Sequence, residues 1–179
     1  ELSKAKGRTV VNQLSSRIKS AESIYGKLVR KGFKTDFKTA QKNLNDLVGV
    51  RVVCPFEDEV YEVAARLKAQ GDIEVIKEKD YIKTPKKNGY KSLHLIEDIP
   101  IYFGETFQKE RVEIQFRTTA MDYWSILDYQ LFYKRDVDDS DKIAAELEQA
   151  AEDIAKLDAR MLKLRNKIEK YDIVNHTYI

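Results

Sequence analysis

The run DLVGVRVVC, residues 46 to 54, limits the folds open to this chain more than any other stretch. Its four valines are stiff at χ1 and fill a pleated surface well, and the run lacks the polar alternation of a half-exposed strand. It reads as a strand buried on both faces, which needs cover on both. The flanking sequence offers helices for that cover. EDEVYEVAARLKAQG is an amphipathic helix closed by Gly71, a helix is expected over residues 16–31 with a serine cap and Gly32 as its stop, and a short one over 37–44. Three further strands are expected over residues 72–79, 91–102 and 111–118, the last with strict alternation. TAMDYWSILDYQLFYK reads as an aromatic-rich helix, and DSDKIAAELEQ opens a last one with Asp or Ser as its cap. The class is α/β (α+β).

With 179 residues, 42% of them hydrophobic, and only 7 Gly and 3 Pro, the chain has enough apolar side chains for one compact domain. No repeat, low-complexity tract or linker divides it, so a single domain over residues 1–179 is expected. Lys and Arg nearly balance Asp and Glu, for a net charge of +2, so any affinity for anions has to come from local clusters. Bulk charge points to no nucleic-acid partner, although RNA stays open. No stretch approaches 18 consecutive apolar residues, which argues against a membrane span, and the single Cys54, set in an apolar run, suits a buried thiol in a reducing, cytoplasmic setting.

Local clusters do occur. At about 100° per residue, Ile18, Ala21, Ile24, Tyr25, Leu28 and Val29 of the expected first helix fall on one arc, the candidate core face. Lys19, Ser23, Lys27 and Arg30 fall on another. Three cations and a hydroxyl on one face can hold a polyphosphate, though a solvated helix surface looks the same. Six lysines crowd residues 77–91, a loop punctuated by Pro85 and Asn88-Gly89 that suits an anion gripped and released. Just behind it Tyr90, Ser92 and His94 share parity: a tyrosine can stack on a base, or be a half-buried edge residue, and a lone histidine is commonly a satisfied polar group. Arg51 inside VGVRVVC requires a partner, either a carboxylate or a stacked ring.

In RVEIQFRT, Glu113, Gln115 and Arg117 point one way and Val112, Ile114 and Phe116 the other, so the polar face should line something. Asp46 and Glu113 could meet at a hard cation such as Mg²⁺, which takes one or two carboxylates and fills its shell with water and phosphate. The plainer alternative is a cap or salt bridge at Asp46 and a neighbouring strand's lysine at Glu113. Ile143, Leu147, Ala150, Ile154, Leu157, Met161, Leu164, Ile168 and Tyr171 form an a/d heptad, open between packing on the preceding helix and a subunit interface.

Taken in order, SRIKSAESIYGKLVRKG, DLVGVRVVC, KDYIKTPKKNGYKSLHL and VEIQFRTTAMDYWSILDYQLFYK resemble the synthetase domain of the RelA/SpoT alarmone synthetases, in the single-domain small alarmone synthetase branch. The resemblance implies a nucleotidyltransferase-like mixed β-sheet flanked by helices with a long C-terminal helix, the catalytic core spanning residues 15–135 and a helical part residues 136–179. It implies a GTP diphosphokinase of the stringent response, which moves the β,γ-pyrophosphate of ATP to the 3′-hydroxyl of GDP or GTP and gives ppGpp or pppGpp plus AMP. By matched position, Arg17 and Arg51 would sandwich adenine, and Lys19, Ser23, Lys27 and Arg30 would hold the ATP phosphates. Asp46 and Glu113 would bind Mg²⁺, with Glu113 also the general base. Tyr90 would stack on guanine, and Lys79, Lys86, His94, Gln115 and Asp122 would contact the acceptor. A homotetramer built through terminal helices is the implied assembly.

Competing expectations are a toxin-like relative acting on the tRNA 3′ end, against the matched guanine-site residues, and a catalytically silent nucleotide- or RNA-binding regulator, against Asp46 and Glu113. Strand alternation sets Asp46 and Arg51 on opposite faces unless Asp46 precedes the regular strand.

Overall fold

The computed structural model describes residues 2–131 and 140–176. In chain order its elements are α1 (Leu2–Lys6), β1 (Gln13–Ile18), α2 (Ala21–Arg30), α3 (Phe37–Asn43), β2 (Val48–Cys54), α4 (Glu57–Lys68), β3 (Glu74–Asp80), β4 (Leu93–Phe103), β5 (Thr106–Thr118), α5 (Thr119–Leu131) and α6 (Ser140–His176). The five strands make one sheet in the order β1-β2-β5-β4-β3. Only β2 and β5 run parallel; the other neighbours are antiparallel. The mixed sheet flanked by helices with a long last helix is the architecture the sequence leads one to expect. The expected boundary between core and helical part, at residues 135–136, lies outside the described residues, as does the cap of α6.

One face of the sheet is the core. Val52 and Cys54 of β2, Leu93 and Leu95 of β4, and Val112, Ile114 and Phe116 of β5 pack with Val60 and Ala64 of α4 and Met121 of α5. Acidic Glu57, Asp58 and Glu59 in the first turn of α4 and basic Arg66 and Lys68 in its last turn complement the helix dipole. Cys54 is fully buried, and burial, helped by the charge of Glu59, pushes its thiol up to about 12, far from a reactive thiolate. A smaller cluster of Leu28, Ala40 and Leu44 joins α2 to α3.

Three expectations are corrected. The helix expected over residues 16–31 is instead strand β1, a turn through Lys19 and Ser20, and then α2, capped by the Ser20 side chain, which accepts from the Ser23 backbone N–H. Pairing with β2 decides this, because backbone bonds from Asn12 to Val53 and from Lys19 to Leu47 extend the ladder at both ends. Consequently Ile18, Tyr25 and Val29, placed on the core arc, are 83%, 60% and 53% exposed, and Lys19 precedes the helix. Second, β2 is buried on both faces only at Val52, Val53 and Cys54; residues 48–51 are half-buried because the face opposite the core is open and polar there. Asp46 does precede the regular strand, which removes its conflict of parity with Arg51.

The third correction concerns α6. A straight helix drifts by about 20° per heptad against a strict seven-residue repeat. The packed stripe of α6 therefore runs through Leu147, Ala151, Ile154, Asp158 and Arg165 at the true helical period, while Leu157, Met161, Leu164, Ile168 and Tyr171 of the heptad stay 42–70% exposed. The heptad serves the chain's own body at its start and faces outward at its end. Among the described residues no helix is long and apolar enough to cross a membrane.

Candidate active site

The face of the sheet opposite the core gathers the polar residues by register. Arg51 pairs with Ser15 on β1 and Gln115 on β5, Glu113 with Gly49, Gln115 with His94, and His94 with Lys79. Alternation then sends Arg17, Arg51, Glu113, Gln115, Arg117, His94 and Lys79 to one side. Arg17 lies across Gly49: a Cβ there would sit 3.5 Å from its Cγ and Nε. A glycine, with no side chain, thus stands where an arginine crosses the sheet, two residues from Arg51.

On one half of this face five side chains close a ring. Arg117 Nη2 donates to the Tyr90 hydroxyl at 2.7 Å and to Gln115 Oε1 at 2.9 Å, and Gln115 Nε2 donates to Glu113 Oε2 at 3.1 Å. His94 completes the ring, with Nε2 2.8 Å from the Tyr90 hydroxyl and Nδ1 3.4 Å from Glu113 Oε1. The hydroxyl has one proton to give and His94 Nε2 is the acceptor in reach, which leaves Nδ1 as the protonated nitrogen facing Glu113. Burial pushes the Glu113 carboxyl up, but the hydrogen bonds from His94 and Gln115 outweigh it, so the group is held below its ordinary value. A carboxylate kept ionised, half-enclosed and oriented from two sides is in the form that can accept a proton, and its lowered proton affinity makes it a weaker base than a free carboxylate.

Tyr81 adds an aromatic edge, 5.2 Å from His94 and 6.0 Å from Tyr90 between ring centroids. Lys86 reaches in from the basic loop, its ammonium 4.5 Å from the Tyr90 centroid and 4.8 Å from that of Tyr81. Burial and the charge of Lys79 lower its affinity for its proton.

The other half is anionic at its centre and cationic around it. Lys19 Nζ donates to Asp46 Oδ2 at 2.7 Å, and Lys27 Nζ lies 2.7–2.8 Å from both Asp46 oxygens. Burial raises the Asp46 carboxyl, yet the bonds from the two lysines and their charges prevail and lower it. Asp46 and Glu113 line one polar cavity of about 120 Å³ with Lys27, Lys31, Asn43, Asn45 and Lys79. Ser23 and Arg30 stand on α2 with Lys27, both exposed, and Arg30 turns back over Gly26. Among the described residues no three His, Cys, Asp or Glu side chains gather at one point. The protein alone thus offers a hard cation two carboxylates in a polar cavity, a donor set that suits Mg²⁺ sharing its shell with phosphate oxygens and water.

The two plainer alternatives fare differently. Asp46 does make salt bridges, but to the lysines of the candidate phosphate group; Glu113 pairs with His94, not with a lysine. Arg51 finds a carboxylate, Asp122 Oδ1 at 3.3 Å. Asp122 itself is turned inward, its side chain only 8% exposed, and is engaged by Arg51 and Arg117. Sequence reasoning noted that Arg117 shares the polar face but gave it no role; its parity with Glu113 and Gln115 was the available signal, and its burial was not visible there. Tyr81, Lys31 and Asn45 were also missed, being loop or helix-end residues with no local pattern to mark them.

The profile described as "Region found in RelA / SpoT proteins" matches residues 16–138. Among curated proteins, the chain is 39% identical over 163 residues to GTP pyrophosphokinase YwaC of Bacillus subtilis, covering 91% of this chain and 78% of that one. It is 32% identical to GTP pyrophosphokinase YjbM of the same organism, covering 88% and 73%. Among solved structures, the small alarmone synthetase 2 of Bacillus subtilis superposes with a TM-score of 0.81 at 39% identity, covering 92% of this chain and 85% of that one. The small alarmone synthetase 1 of that organism, bound to its product pppGpp, also gives 0.81, at 29% identity, covering 94% and 85%.

Proposed function

The chain belongs to the RelA/SpoT family, and from that membership and the two-sided polar face we propose that it is a (p)ppGpp synthetase, transferring the β,γ-pyrophosphate of ATP to the 3′-hydroxyl of GDP or GTP. The single observation that carries the reading is the juxtaposition in one cleft of a lysine-bound carboxylate, Asp46, with an oriented one, Glu113, between a basic helix and a tyrosine-histidine corner.

In this reading Arg17 and Arg51 hold adenine between their guanidinium planes, a role supported by their adjacency on one sheet face. Lys19, Ser23, Lys27 and Arg30 take the triphosphate. Lys19 and Lys27 neutralise Asp46 in the structure, and the same two ammonium groups would exchange that carboxylate for phosphate oxygens of the bound nucleotide. Tyr90 is the guanine platform; a base stacking there competes with Lys86 for the ring and frees that ammonium, with Lys79, for acceptor phosphates. His94 and Gln115 hold Glu113 where it takes the proton of the ribose 3′-hydroxyl. The O3′–Pβ bond forms as the bond from Pβ to the α,β-bridging oxygen breaks, and AMP leaves with that oxygen. Mg²⁺, held by Asp46 and Glu113, would supply charge neutralisation along the phosphates. The residues otherwise work by position and by countering charge, which is what phosphoryl transfer asks of a protein.

The unit is read as one domain, working in the cytoplasm as a homotetramer. Incubation with labelled ATP, Mg²⁺ and GDP, GTP or tRNA, followed by chromatography, tests the activity. The expected outcome is labelled ppGpp or pppGpp and AMP; transfer to tRNA alone, or to nothing, defeats the proposal.

A further inference from the structure

The two halves of the cleft share one buried carboxylate. Asp122 Oδ1 accepts from Arg117 Nη1 at 3.0 Å and lies 3.3 Å from Arg51 Nη1, so a single oxygen stands between two guanidinium groups. The side chains of Asp122 and Arg117 are 8% and 5% exposed, which leaves water little part in screening them. From Arg117 the contact continues through Nη2 to Tyr90 and Gln115, and through those two to His94 and Glu113. An unbroken line of hydrogen bonds and ion pairs therefore runs from Arg51 to the tyrosine platform and to the candidate base. The repulsion between Arg51 and Arg117, which after burial is the main influence lowering the Arg51 guanidinium, is opposed first by Asp122 between them and then by Tyr90.

We propose that Asp122 and Arg117 are positioning residues that couple the two nucleotide sites, so that adenine held on Arg51 strengthens the binding of GDP or GTP at Tyr90, and the reverse. The inference rests on the reading of Arg51 as an adenine contact and Tyr90 as the guanine platform. An arginine stacked on a base no longer swings, and its Asp122 partner is then fixed; Arg117, Tyr90 and Glu113 are ordered through the same line before the acceptor arrives. The second nucleotide meets side chains whose ordering has already been done, which is positive cooperativity without a change of fold, and linkage makes it reciprocal. Asp122 accordingly works behind the acceptor site and does not touch the base.

The test is calorimetric titration of the full chain with GDP, in Mg²⁺ buffer, with and without saturating α,β-methylene-ATP, which cannot donate its pyrophosphate. In the wild type the analogue should tighten GDP binding by about fivefold or more, within the usual range of coupling between sites. Asp122→Asn keeps the shape and removes the charge, and Arg117→Lys keeps the charge and loses the fork; each should bring the enhancement below about twofold. A merely structural loss would weaken each nucleotide alone and leave the ratio intact. Should Asp122→Asn fail to fold, Arg117→Lys reads the same ratio. No enhancement in the wild type, or full enhancement in the folded variants, overturns the proposal. Arg51→Ala and Tyr90→Ala separate the two levels: if neither weakens its own nucleotide, the site reading has failed, whereas if both do and the ratio survives in the Asp122 and Arg117 variants, only the coupling has.

Discussion

Glu113 shows how a site residue is tuned by opposing effects. Burial favours the neutral carboxyl, while His94 and Gln115 favour the carboxylate and prevail. Its folded-state affinity for a proton is therefore depressed, so the stability it contributes is present above its unfolded titration range and is lost only as pH falls through the lower, folded one. His94→Ala deletes the largest of the favourable partners and leaves the burial, so Glu113 should titrate at higher pH than in the wild type. Carbon-detected NMR of the side-chain carboxyl, assigned with Glu113→Gln, measures this; an unmoved titration would remove His94 from the tuning. For the activity itself, Glu113→Gln keeps volume and loses the charge. Removing one such electrostatic contact typically costs on the order of 10²–10³ in rate, and kcat for pyrophosphate transfer should fall by at least that much. The residue scale is also where sequence reasoning was least complete. Glu113, Gln115 and Arg117 were visible as one polar face, but Arg117's place as the hub of the ring depends on Tyr90, 27 positions away, and on Asp122 on the next helix. Local pattern carries parity; it does not carry long-range partners.

At the scale of elements, the loop that delivers Tyr90 is pinned by Gly89. Its φ is +85°, and a Cβ there would stand 2.4 Å from the Cβ of Ala151 on α6. The glycine therefore serves two needs, a left-handed backbone and close approach to a helix. Gly89→Ala meets both penalties and should cost roughly 2 kcal/mol or more. Adding Ala151→Gly relieves the contact and leaves the backbone strain, so the double variant should recover part of the loss. Urea unfolding followed by circular dichroism reads both; full recovery in the double variant would mean that φ plays no part. Elsewhere the elements were legible where periodicity had one meaning. The helix α4 and the alternation of β5 were read correctly, although β5 begins five residues earlier than expected, as one arm of a hairpin extending to Phe103. The segment over residues 16–20 was misread because SSRIKS satisfies a helical wheel, and only the exposed edge of β2, remote in sequence, recruits residues 13–18 as a strand.

For the whole molecule, α6 is the element with an unexplained surface. Its inner stripe is committed: Arg165 pairs with Asp58, both Arg165 and Arg8 lie over the Phe56 ring, and Arg8 reaches Glu59 and Glu169, which ties the N-terminal segment, α4 and α6 together. Among the described residues, the outer stripe of Leu157, Met161, Leu164, Ile168 and Tyr171 belongs to neither core cluster and is exposed. Scattered exposed apolar residues are ordinary, but five in sequence along one helix at heptad spacing form a seam of the kind that pairs with another helix. The sequence posed this as a choice between packing on the body and meeting another subunit, and the mismatch between seven-residue and 3.6-residue periods turns the choice into a division along the helix. If the outward part is the subunit seam of the proposed tetramer, two charges placed on it should break the assembly without touching the cleft on the far side of the sheet's core. Leu164→Glu with Ile168→Glu is therefore expected to drop the mass seen by light scattering from four chains to two or one, with the melting of the single chain little changed because both side chains are already exposed. A wild type that scatters as one chain, or a double variant that stays tetrameric, would move the interface elsewhere and leave the stripe to another partner.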